Sequence, residues 1–176
     1  QGCRLRRHEA LTMGSRHHAL ALAFVALVLP KAWAGEMVVP PPGPDSVCPV
    51  CGMFVAKYPE WIAYVVYKDA HAHYFDGAKD MFKFLADPKR YVPGHKPEDV
   101  AQVAVTDYYS VEAIPAQSAW YVVGSDILGP MGHELVPLAT EAEARDFQRD
   151  HQGQAIVRFG QITSELLERL DRGQVK

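Results

Sequence analysis

Tyr64-Val65-Val66 with Asp69 three residues on is matched later by Tyr121-Val122-Val123 with Asp126 three residues on. The match is short, but the patterns following each copy come in one order, and that favours a fold built from two like halves. Residues 61–68 (WIAYVVYK) are aromatic and β-branched and predict a strand; Asp69-Ala70 reads as a turn and residues 71–75 (HAHYF) as the returning strand. Asp76-Gly77 then opens a helical pattern, with Met81, Phe82, Phe84 and Leu85 at three- and four-residue spacing, stopped by Asp87-Pro88. A polar loop leads to a third strand at 100–105. The second half predicts strands at 119–124 and 135–138. A helix follows, capped by Thr140 with Glu143 as its capping-box partner and closed near His151 by Gly153; then come a strand at 155–159 and a last helix at 161–171. The expected fold class is therefore α+β, two pseudo-repeated ββαβ halves plus a C-terminal helix.

Residues 1–34 are set apart from this pattern. Arg4, Arg6, Arg7 and Arg16 precede an apolar run at 19–29, Pro30 ends it, and Ala32-Trp33-Ala34 is a small-x-small sequence. A basic stretch, a short apolar core and such a site predict a secretory signal, cleaved after Ala34 without lipid attachment. Met13 is the expected start, with residues 1–12 upstream of it. Residues 35–47, rich in Pro, are expected as an extended linker, and residues 48–176 as the domain. Cleavage removes five of the 18 Lys and Arg and one of the 21 Asp and Glu, so 13 basic side chains face 20 acidic ones, a net of −7 with His neutral. Such a balance argues against nucleic acid as a partner, because binding it needs a basic face.

The expected mature chain keeps two cysteines, and they lie together in Cys48-Pro49-Val50-Cys51-Gly52-Met53. A disulfide across two intervening residues closes a very small loop and stabilises little, so the pair is better read as a ligand set or a redox centre. Thiolate and thioether are soft donors that select Cu(I), with zinc accepted at the thiolates; Cys48, Cys51 and Met53 form such a set. A second cluster, Gly129-Pro130-Met131-Gly132-His133-Glu134, offers a thioether and an imidazole two residues apart, on one side of an extended segment. Met131 and His133 are accordingly candidate partners of the thiols around one copper ion, with Glu134 beside them to orient His133 or to serve a second metal. Two other readings stay open. A structural zinc site would need a second ligand pair, for which His71 and His73 are available. A thioredoxin-like dithiol would need a strand leading into the motif, and none is predicted there. Asp76, Asp107 and Asp126 lie at strand ends and read as turn or cap residues; no Ser/His/Asp set or phosphate-binding glycine loop is present.

Cys48-Pro49-Val50-Cys51-Gly52-Met53, residues 75–82 (FDGAKDMF), residues 121–126 (YVVGSD) and residues 129–137 (GPMGHELVP), taken in this order, resemble the NosL family of nitrous oxide reductase accessory proteins. The resemblance covers nearly all of residues 46–160. It implies a periplasmic Cu(I) chaperone without turnover of its own that helps assemble the copper–sulfur centre of nitrous oxide reductase. The implied partners are the reductase apoprotein and a membrane ABC-type Nos transporter complex. It implies Cys51 and Met131 as leading ligands, joined by Cys48, His133 and Met53, and allows a second metal such as zinc. A thiol–disulfide oxidoreductase, or a copper chaperone serving another exported enzyme, is the alternative.

Overall fold

The Tyr-Val-Val segments become the central strands of two antiparallel sheets. In the first, β1 (Ala63–Tyr67) lies between β2 (Ala72–Phe75) and β3 (Val100–Thr106), with the short β4 (Ala113–Pro115) added beyond β3. In the second, β5 (Trp120–Gly129) lies between β6 (Gly132–Leu138) and β7 (Ala155–Arg158). Each half thus places its first strand in the middle, its second on one flank and its third on the other. Tyr64 pairs with Tyr74 and Ala104; Tyr121 pairs with Pro137 and Val157. The computed structural model describes residues 39–94 and 96–174. The expected signal segment lies outside them. Among the described residues no helix is long and apolar enough to cross a membrane.

A helix follows the second strand of each half: α1 (Ala78–Ala86), extended by the single turn α2 (Pro88–Tyr91), and α3 (Glu141–Asp150). The Thr140–Glu143 capping box forms as the sequence predicts, each residue bonding the other's backbone N–H. Helix α4 (Ser164–Asp171) closes the chain with Thr163 as its cap. Gly153 was expected to end α3, yet the left-handed residue there is Gln152 (φ 55°). Gly153 is needed for close approach instead: a Cβ on it would lie 2.4 Å from Val122 Cγ1.

Side-chain alternation along the second sheet divides the packing. Tyr121, Val123 and Leu135 point into the main core, where they meet Val65, Val103, Val105 and Phe75 of the first sheet, Met81, Phe82 and Phe84 of α1, and Leu167 and Leu170 of α4. Val122, Val136 and Leu138 point the other way, onto Ala144 and Phe147 of α3. Helix α1 therefore sits within the core shared by both halves. Its buried residues include Lys79 and Asp80 as well as the apolar stripe, and that placement brings the two chemical clusters of the sequence onto one helix.

Candidate metal centre

The cysteine loop is a small hairpin of its own. Val47 bridges Phe54, Val55 N–H donates to the Ser46 carbonyl at 3.1 Å, and Cys48 N–H donates to the Met53 carbonyl at 2.8 Å. The end of the segment read as linker is therefore tied into the domain. Gly52 takes φ +78°, a left-handed conformation that L side chains rarely adopt, while donating to the Cys48 carbonyl. The loop directs both thiols at the junction between β2 and α1. Cys48 Sγ donates to Asp80 Oδ2 at 3.5 Å and Cys51 Sγ to Asp76 Oδ1 at 3.2 Å.

These four residues offer one donor atom each, all within 4.8 Å of one another. Cys48, Asp76 and Asp80 are buried, Cys51 half-buried, and both thiols are free. The neighbouring Cys48 thiol, then burial, push the Cys51 thiol well above its ordinary value, and the Asp76 carboxylate adds to the rise. The Asp76 Oδ2 atom is buried with no hydrogen-bond partner among the described residues. An unpaired buried carboxylate oxygen is unfavourable and calls for an explanation; a cation held by the four donors supplies one. Two sulfurs and two carboxylate oxygens fit the tetrahedral preference of zinc, and the thiolate pair fits Cu(I). Lys83 Nζ bonds the far oxygen of Asp80 at 3.0 Å and Asp171 at 2.8 Å, adding positive charge to an acidic site.

Sequence reasoning took Asp76 for a turn residue and did not single out Asp80. The available signal was their spacing of four across a helix start, directly after a strand. Asp107 does behave as a turn residue, accepting from the Ser110 and Ala139 backbones. His71 and His73 do not complete a site with the thiols: their rings pack on each other at 4.8 Å, with His73 also against Phe84, and the residues beside the sulfurs are carboxylates.

The remaining expected ligands lie as follows. Met53 is half-buried at the end of the cysteine loop. Met131 is at the tip of the β5–β6 hairpin, 45% exposed, next to Gly132 at φ +84°. His133 is in β6, outside the four-donor group, with its ring beside Gly173. The carbonyls of Met131 and His133 both accept from Lys79 Nζ, at 3.0 and 2.8 Å, so this segment is fastened to α1 through its backbone.

Glu134 serves that helix. Its Oε1 accepts the Lys79 N–H at 2.6 Å and the Leu135 N–H at 2.9 Å. Gly77, the N-cap residue of α1, has no side chain to do this, so a carboxylate from β6 caps the helix from outside. Burial raises the Glu134 carboxyl to about 8, against the opposing pull of the two N–H groups and Lys79. Because the folded value lies above the ordinary one of 4.5, the folded state holds the proton more tightly than the unfolded chain. The resulting stabilisation is fully present below about pH 4.5 and is lost as pH rises towards 8. Glu134→Gln is expected to flatten that decline in denaturant titrations of the metal-free protein; parallel curves for parent and variant across the window would refute it.

A family model described as NosL matches residues 41–167. A curated relative, the copper-binding lipoprotein NosL of Stutzerimonas stutzeri, is 29% identical over 127 residues; the match takes in 69% of this chain and 64% of that protein, so the chain spans less than two thirds of its length. In structure the chain is similar to the crystal structure of the copper chaperone NosL from Shewanella denitrificans, with a TM-score of 0.62, 26% identity, and coverage of 74% of this chain and 99% of that one. The solution structure of the apo-NosL protein from Achromobacter cycloclastes matches with a TM-score of 0.43 and 23% identity, over 60% of this chain and 87% of that one.

Proposed function

The chain belongs to the NosL family, and from that premise we propose that it is an exported Cu(I) carrier, taking the ion as cargo on Cys48 and Cys51 and passing it on for assembly of the copper–sulfur centre of nitrous oxide reductase. The observation that carries this reading is the convergence of both thiols on two buried carboxylates, one with an unpartnered oxygen. Binding requires thiolates, so the S–H protons must leave; Asp76 and Asp80 already accept hydrogen bonds from those groups and lie where the protons depart. Met131, His133 and Met53 are the further soft donors. Low coordination by sulfur suits transfer, because an incoming ligand attacks before the old ones leave. The Nos transporter complex is the expected membrane partner, and the protein turns nothing over.

The carboxylates favour a second reading of the same donors: hard oxygen atoms beside thiolates suit a divalent ion such as zinc, bound together with the copper or in its place. X-ray absorption on the Cu(I)-loaded chain tests the main reading. Sulfur is expected to dominate the copper coordination, and mixing with the reductase apoprotein is expected to move copper to it. A shell of nitrogen and oxygen alone would sink the proposal, and retention of all copper would sink its delivery step.

A further inference from the structure

Lys79 is one of the most deeply buried charges in the fold, with its side chain 1% exposed. An ammonium has three donors, and each has an acceptor here: the Met131 carbonyl at 3.0 Å, the His133 carbonyl at 2.8 Å and Asp171 at 3.2 Å. Its backbone N–H is held as well, by Glu134 of the same strand at 2.6 Å. Both ends of Lys79 are thus bound by residues 131–134. The next residue along α1 is Asp80, which stands beside Cys48. Asp171 accepts from Lys83 also, and Lys83 bonds Asp80, so one chain of ionic contacts runs from the thiol cluster to the hairpin.

The hairpin needs such a hold. Met131 is exposed and stands between Pro130 and Gly132, and Gly129 and Gly132 close the turn. Glycines leave this backbone many conformations. A buried ammonium is an expensive way to fasten a turn if the turn has only to be folded. It becomes intelligible if the arm must be held at a set distance from α1.

We propose that Lys79 is a positioning residue for copper: it clamps the Met131-Gly132-His133 backbone to helix α1, so that thioether and imidazole are presented to the ion held by the cysteines. This rests on the reading that Met131 and His133 donate to Cu(I). Positioning groups of this kind are worth about 10–100-fold in metal affinity.

The test is Cu(I) competition against a chelator for the full chain and for Lys79→Met, Met131→Ile and the double variant, with Zn(II) affinity measured alongside. Lys79→Met is expected to weaken Cu(I) binding about 10–100-fold with little change for Zn(II). Lys79→Met should cost less in the Met131→Ile background than in the parent, because the clamp acts only through the arm and His133 alone is then left to position. Lys79→Gln, too short to span both carbonyls and less disruptive, carries the same expectation if the Met variant does not fold. Parent-like Cu(I) affinity in the Lys79 variants, with Met131→Ile impaired, overturns the clamp and leaves the ligand reading standing. Unchanged affinity in Met131→Ile removes the arm from the site, and the clamp with it. Equal losses of Cu(I) and Zn(II) would mark a merely structural lysine and overturn it as well.

Discussion

Cys48→Ser with Cys51→Ser is expected to lose tight metal binding while the fold remains. Structural Zn(II) in zinc-finger peptides binds by about 10–16 kcal/mol, on the order of 3 kcal/mol for each of its four ligands, and the same scale is taken for a thiolate on Cu(I). Removal of two thiolates should therefore weaken Cu(I) roughly ten-thousandfold. Serine retains a hydroxyl that can hydrogen-bond Asp80 and Asp76 in place of the S–H groups, so stability should change little. Replacing the carboxylates separates the two metals. Asp76→Asn with Asp80→Asn should impair Zn(II) far more than Cu(I), because the amide lacks the negative charge that the divalent ion draws on, whereas the soft ion is held by the thiolates. Chelator competition for both ions, with circular dichroism to confirm the fold, gives the comparison. Full retention of Cu(I) affinity by the double serine variant would place the ion elsewhere in the chain.

Gly77→Ala should be among the most destabilising single-methyl changes available in this protein, at about 3 kcal/mol or more. The reason is not backbone strain, since Gly77 is extended at φ −179°, a conformation open to any residue. A Cβ there would lie 2.3 Å from Glu134 Oε2 and 2.8 Å from its Cδ. Glu134 is buried and holds the Lys79 and Leu135 N–H groups, so its carboxyl cannot withdraw without leaving both unpaired. Overpacking of this kind costs about 1–3 kcal/mol, and each buried donor left unsatisfied adds about 1–3 more. Combined with Glu134→Ala, the Gly77 substitution should cost much less than alone, because the carboxyl it strikes is gone; the two effects then fail to add. Urea unfolding of the four proteins of the cycle measures this. A Gly77→Ala protein within about 0.5 kcal/mol of the parent would mean that the carboxyl is free to move, and the capping role given to Glu134 would fall.

The two motifs on either side of this contact stand 57 positions apart, and nothing in their separate patterns announces that a glycine in one makes room for a glutamate in the other. The same holds for the metal site. The softness of Cys48 and Cys51 is legible from their proximity alone, and the motif order led to the family that the match over residues 41–167 supports. Asp76 was legible only as a residue at a strand end. Its pairing with Cys51 spans 25 positions, and that of Asp80 with Cys48 spans 32.

By itself the sequence determined what depends on near neighbours: the strands at Tyr64-Val65-Val66 and Tyr121-Val122-Val123, the Thr140–Glu143 cap, the duplicated element order, and the presence of a soft pair of donors. Strand periodicity, the Thr140–Glu143 cap and the softness of the thiols are each set within a few residues. Tertiary structure alone decided which charges go inside. Asp76, Asp80, Lys79 and Glu134 look like surface residues in the chain, yet all four are buried around the start of α1, because that helix is enclosed by both halves and these groups find partners across long stretches of sequence, from Asp76 to Cys51, Asp80 to Cys48 and Lys79 to Glu134. A buried charge is tolerated when its counterparts arrive with it, and that condition is met by packing, not by local pattern.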